Sequence, residues 1–247
     1  MKLQVKSVKL EIDRRRLLYL AVFVILGIIA LQIPVNVLEG AKVKFTLFDL
    51  FAPLSGAFLG GLVGVFAVIL MQLANVIFHG FSGIQTDSIL KLVATFRFLP
   101  LIFGVLYFAL KNKKNDKWIL VIPLLSIAAF ILHPIGRTVW FYSLFWLIPV
   151  VVWPLRNRFL VARSLGSTFT AHAIGGAVWI WAFNMPAAVW VSLIPIVILE
   201  RSIFALGISA SYILVNNVLG YVNSMKVTPV VFKVDRKYVL KVISHKS

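Results

Sequence analysis

Seven side chains stand out because the residues around them offer little water. Asn75, His79, Arg97, His133, Arg137, His172 and Glu200 lie within or at the ends of long apolar runs. A charged group at the middle of a bilayer costs about 2.5–3.5 kcal/mol on insertion scales, so each one needs a partner or a ligand. Histidine can carry a proton, and arginine can hold a carboxylate or phosphate through paired N–H donors. Arg97 has the strongest claim to a ligand or counter-ion. It lies three residues before Pro100, and Glu200 is the acid placed deeply enough to be its partner. Gln72 and Asn75 share a helix face by their spacing, whereas Glu200 and Arg201, as sequence neighbours, are expected to face apart. Each residue also has a structural reading. His133 and Arg137 flank a turn and can reach an interface. His172, one turn from Thr168, can be a hydrogen-bonded histidine of the bundle interior.

Catalytic signatures are thin. The eight acids are Glu11, Asp13, Glu39, Asp49, Asp87, Asp116, Glu200 and Asp235, and none pair at helical spacing within an apolar run. HExxH, GxSxG and Walker sequences are absent. A metal site would fall to His133, His172 and Glu200, whose separations match no ligand pattern, so neither metal nor cofactor is expected. There is no cysteine, which excludes disulfide and thiolate chemistry. Without a P-loop, an ATP-driven pump acting alone is also excluded. A non-enzyme is therefore expected before an enzyme.

The elements that must position these residues are membrane helices. Of 247 residues, 61% are hydrophobic and the mean hydropathy is +0.97. Runs of about 20 apolar residues recur, each enough to cross a hydrocarbon core of about 30 Å. Alternating barrel strands are not seen. The net charge of +17 is read as basic loops facing anionic lipid rather than as nucleic-acid binding. The fold class expected is an all-α polytopic membrane protein, a bundle of about six to eight membrane segments. Its domains are a basic N-terminal strand (1–16), a transmembrane helical domain (17–220) and a basic tail (221–247). The termini alternate in polarity, with period two in 1–16 and a hairpin pattern around Asp235-Arg236. Together they suggest a small cytoplasmic β-sheet. No signal peptide is read at the N-terminus.

The stretch 47–78 decides the topology. It contains Pro53, Gly56, Ala57, Gly60, Gly61 and Gly64, and it reads either as one helix with a glycine face or as a hairpin folded at Gly60-Gly61. Nineteen of the 25 basic residues fall in four segments: the N-terminus, Lys111 to Lys117, Arg156 to Arg163, and the tail. Two crossings by 47–78 gather all four on one side, as the positive-inside rule favours. The expectation is eight segments with both termini cytoplasmic. Glu200-Arg201 is expected to split the last apolar stretch, 187–220, into a half-helix and a full span. The tryptophans are expected at span ends, with Trp140, Trp179 or Trp181 available to stack on a flat ligand.

Phe45-Thr-Leu-Phe-Asp49 followed by Pro53-Leu-Ser-Gly56-Ala-Phe-Leu-Gly60-Gly61-Leu-Val-Gly64 resembles the substrate-binding S component of energy-coupling-factor (ECF-type) vitamin transporters. The similarity covers roughly residues 17–75. The family's alanines four apart in the first span are replaced here by Ala21, Gly27 and Ala30, and the family usually has six spans. The resemblance implies capture of a vitamin-like molecule at the cell membrane, with a coupling membrane subunit and ATPases as partners. It also implies a pocket at the outer span ends. The function expected is thus small-molecule transport by a substrate-binding subunit. The alternatives are an intramembrane enzyme on lipid-linked or phosphorylated substrates, and a non-catalytic membrane scaffold.

Overall fold

Apolar runs in lipid must satisfy every backbone group internally, so they become helices. The computed structural model describes residues 14–36, 45–80, 88–96, 98–110, 114–225 and 234–240. The first helix, α1 (Arg14–Gln32), leads into a short antiparallel pairing of β1 (Pro34–Asn36) with β2 (Phe45–Thr46). The Asp49 carboxylate accepts the Thr46 N–H at 3.0 Å and starts α2 (Leu47–Leu59). Next comes α3 (Gly61–His79), and between the two lies Gly60 at φ 93°, a conformation that favours glycine.

The chain folds back there. A Cβ on Gly64 would come within 2.6 Å of the Gly56 Cα, so the two helix backbones touch at paired glycines. The Ser55 hydroxyl lies 2.6 Å from the Ala52 carbonyl and 3.1 Å from that of Gly64. The glycine spacing therefore serves a hairpin, not the face of one long helix. At 13 residues α2 is about 20 Å long, short of the hydrocarbon thickness. It is buried almost throughout.

Two helices, α4 (Ile89–Phe96) and α5 (Phe98–Ala109), flank Arg97, which lies outside the described residues. A 3-10 turn (Lys114–Leu120) feeds α6 (Val121–Leu132), and His133 then caps α7 (Pro134–Thr138). The segment 140–155 mixes 3-10 helix (Trp140–Leu147), α8 (Ile148–Val151) and a second 3-10 turn (Trp153–Leu155). Then α9 (Leu160–Phe183) ends at Asn184, whose φ of 48° makes a left-handed cap.

The last helix corrects the sequence reading. Glu200-Arg201 does not divide it: α10 runs unbroken from Ala187 to Ser224, 38 residues and about 57 Å. Pro195 does not end it either. The charges are tolerated because they are neutralised in place, as the next section describes. Of the expected sheet of the termini, the described residues hold only a small part. Arg14 to Arg16 are already helical, and 234–240 holds a 3-10 turn (Arg236–Tyr238) capped by Asp235 instead of a strand. The rest of both termini, 1–13, 226–233 and 241–247, lies outside the described residues.

Among the described residues, three helical stretches are long and apolar enough to cross a membrane: Gly61–Phe78, Asn115–Leu132 and Ala187–Ser224. Shorter apolar helices cover Leu17–Gln32, Leu47–Leu59, Leu99–Ala109 and Trp140–Leu155. Among the described residues two large cores hold them together, beside a small one of Tyr107, Ile119 and Trp153. One gathers Phe23, Phe51, Phe58, Met71, Phe108 and Tyr212 from α1, α2, α3, α5 and the second half of α10. The other gathers Phe130, Tyr142, Trp146, Ile180, Trp190 and Val197 from α6, 140–147, α9 and the first half of α10. On α10, Glu200 and Arg201 fall at the seam, after Val197 of the second core and before Phe204 of the first.

Candidate functional site

The seam carries an ionic cluster inside the bundle. Arg201 Nη2 lies 2.5 Å from Glu200 Oε2, and Nε donates to the same oxygen at 3.2 Å. Its Nη1 donates to Thr168 Oγ1 of α9 at 3.1 Å, and the guanidinium carbon lies 4.5 Å from the centre of the Phe204 ring. Both charged residues are buried. Neighbours on a helix point apart at Cβ, but the Arg201 stem is long enough to bring its head back to Glu200. Glu200 is thus held by Arg201, and the expected pairing of Glu200 with Arg97 lies outside the described residues.

One turn beyond Thr168 on α9 stands His172. Trp146 Nε1–H donates to His172 Nδ1 at 2.9 Å, and the Tyr142 hydroxyl lies 3.4 Å from Nε2. A donor on Nδ1 requires a lone pair there, so the ring is neutral with its proton on Nε2. The imidazole is ringed by Tyr142, Trp146 and Phe169, with centroids 6.1, 6.2 and 6.1 Å away. Gly176 makes room for this cage: a Cβ there would stand 2.4 Å from the Trp146 ring. Together these residues form a polar, uncharged patch beside a closed ion pair.

The sequence-selected residues do not all converge on this cluster. His172 and Glu200 belong to it. His133 is buried at the far end of α6, where its Nδ1 accepts the Ile135 N–H at 3.3 Å and its ring meets Trp181 edge-on at 4.8 Å. That geometry is structural and joins the turn to α9. Arg137 is exposed on α7. Asn75 lies half-buried on α3, which packs against α1, α2 and α5. The side chain of His79 and all of Arg97 lie outside the described residues. Of the tryptophans, Trp118, Trp140 and Trp181 are exposed, whereas Trp146, Trp153 and Trp190 are buried. Trp179 is half-buried, and Trp146 and Trp190 pack in the second core.

No family model matches the chain, and no curated protein or solved structure matches it either.

A second polar centre lies at the other end of the bundle, where basic loops gather. Arg156 is 1% exposed, with its guanidinium carbon 4.1 Å from the Trp153 ring centre and 4.8 Å from that of Tyr107. Its Nη2 donates to the Tyr107 carbonyl at the end of α5. Burial lowers its pKa to about 10, which leaves it cationic at neutral pH. Arg163 on α9 donates Nε–H to the Phe108 carbonyl at 2.6 Å and lies 4.2 Å over the Phe108 ring. These two arginines satisfy the last carbonyls of α5, a stabilising position for cations.

The tail docks on the same end. Asn216 accepts the Asp235 N–H at 2.7 Å and returns a bond to the Asp235 carbonyl at 3.0 Å. Asn217 does likewise with Leu240 N–H at 2.7 Å and the Tyr238 carbonyl at 2.8 Å. Lys237 then donates to the Arg158 carbonyl at 2.7 Å. The result is a cleft of about 280 Å³ lined by Arg156, Asn157, Leu160, Arg163, Asp235, Lys237 and Tyr238. Sequence reasoning used these arginines only as topological marks and passed over Asn216-Asn217. The signal was present: two adjacent amides in an apolar helix need partners.

Proposed function

We propose that this protein is a multi-pass cell-membrane protein that binds a polar small molecule inside its bundle, as a substrate-binding transport subunit does. The observation that carries the reading is the cluster Thr168, His172, Glu200 and Arg201 with Tyr142 and Trp146, mid-way along α9 and α10. Ionisable residues there, within a bundle whose outer surface is rich in exposed apolar side chains such as Leu62, Ile77 and Ile89, are costly and are kept for a use. The seam between two cores is also a place where helices can part. Because Glu200 and Arg201 neutralise each other and His172 is neutral, the ligand is dipolar and hydrogen-bonding, not strongly anionic.

The hairpin at Gly60 and the gathering of Arg156, Arg163 and Lys237 at one end support eight segments with both termini in the cytoplasm. The resemblance to ECF-type S components adds a coupling subunit and ATPases as proposed partners. The enzyme reading fares less well, because the Nδ1 lone pair of His172 is taken by Trp146 and no carboxylate touches its Nε2 among the described contacts.

The test is mass spectrometry of what purified, washed protein releases on denaturation. The expected result is a stoichiometric polar small molecule that a His172→Phe, Thr168→Val variant no longer retains. A variant that retains it, or wild-type protein that releases nothing and is stabilised by no small-molecule pool, overturns the reading.

A further inference from the structure

We propose that the basic-end cleft is an anion site for a phosphate group, separate from the mid-bundle cluster and independent of its role. Three cations line it, Arg156, Arg163 and Lys237, against one carboxylate, Asp235. Asp235 acts on Arg163, and the acid that acts on Arg156 is Asp116, at the start of the turn preceding α6. Arg156 is almost wholly enclosed, and its Nε and Nη1 have no hydrogen-bond partner among the described residues. A buried guanidinium half-satisfied in this way is costly, and such groups call for an explanation. The contrast with Arg201 is direct, since all three of its nitrogens have partners.

The other two cations retain donors. Arg163 commits Nε to a carbonyl and shares a side-chain hydrogen bond with Tyr212, which leaves part of its five-donor fork, and Lys237 holds carbonyls of the 157–158 turn with one ammonium that carries three protons. A tetrahedral oxyanion between them would take N–H donors from the rim and the charge of Arg156 from below. A volume of about 280 Å³ admits a phosphate and the beginning of whatever it esterifies. The chemistry is shared by a free phosphate and by the headgroup of an anionic lipid at the bundle's end. Tail docking builds the site: Asp235, Lys237 and Tyr238 reach the cleft only because Asn216 and Asn217 fix 235–240 against α10.

The experiment uses the full chain. One arm measures thermal unfolding in detergent against inorganic phosphate, with chloride at equal ionic strength as the control. The other compares nanodiscs of phosphatidylcholine with nanodiscs containing phosphatidylglycerol and counts retained lipid by native mass spectrometry. A saturable response to inorganic phosphate identifies a free phosphate group, and a response to phosphatidylglycerol alone identifies a lipid headgroup. Either one supports the site. Lys237→Gln is expected to weaken the response about fivefold, the worth of one cation near an anionic surface. Asp235→Asn, which keeps the capping geometry, is expected to strengthen it by a similar factor. Loss of fold cannot produce a gain of that kind. Equal behaviour in phosphate and chloride together with equal behaviour in both nanodiscs overturns the proposal, as does a response that neither variant changes.

Discussion

Arg201 and Arg156 are both buried arginines, yet their surroundings solve the same problem in opposite ways. Arg201 carries its counter-ion on the adjacent residue and its third donor contact on α9. Arg156 has aromatic faces, one carbonyl and no carboxylate in hydrogen-bond contact among the described residues. The first arrangement is closed and neutral, and it lets a 38-residue helix run through without a break. The second is positive and borders a cleft where the end of α5, the 156–157 turn, the start of α9 and the tail meet. A buried ion pair still carries a desolvation cost but leaves none of its donors unmet, whereas a buried guanidinium with unmet donors among the described residues calls for an explanation.

This contrast can be broken most severely at the seam. Arg201→Met should lower stability by about 3–5 kcal/mol, because it strands Glu200 without a partner. The Glu200→Gln, Arg201→Met double variant should recover most of that loss in denaturant midpoints measured in one detergent. Equal losses in both would mean that the pair is not closed. A smaller effect is expected at the basic end from Gly166→Ala. A Cβ there would stand 2.1 Å from the Tyr107 ring, which bonds the Pro149 carbonyl through its hydroxyl and flanks Arg156. Overpacking of this kind costs about 1–3 kcal/mol. It should also reduce any phosphate response while leaving the His172 ring unchanged in its ¹⁵N spectrum.

Trp146→Phe removes the donor to His172 Nδ1 and should cost about 0.5–1.5 kcal/mol. In the same spectrum the wild-type ring should show the Nε2–H form, and the variant a tautomer mixture. The smallest change is expected from Lys237→Gln, within about 0.5 kcal/mol of wild type, since its side chain lies at the surface. The effect of that substitution should appear instead in the salt dependence of anion binding.

Much of the scaffold was legible from local pattern. Apolar length marked α1, α3 and α6, Gly60 marked the fold-back, and Asn184 marked the turn into α10. These depend on residues a few positions apart. What the sequence hid depends on contacts between distant residues. Glu200-Arg201 read as a divider because the partner that completes it, Thr168, is 33 positions away. The tail read as a hairpin from its alternation, and the docking of Asp235, Tyr238 and Leu240 on Asn216 and Asn217, about twenty positions away, had no local signal. His133 was open to a ligand or an interfacial reading, and its cap on Ile135 and its contact with Trp181, 48 positions away, could not be read from spacing. Arg156 and Arg163 counted as charges, and nothing in their spacing announced that they would close the end of α5.

The central claim is the topology that places the basic ends together and the seam within the bilayer. A chain without native cysteine permits one direct measurement: labelling single cysteines at Leu62, Asn115, Asn184 and Lys237 in intact cells with a membrane-impermeant thiol reagent. The account predicts that Asn184→Cys labels from outside, while Leu62→Cys, Asn115→Cys and Lys237→Cys label only after the membrane is opened. Outside labelling of Leu62→Cys or Lys237→Cys would contradict it.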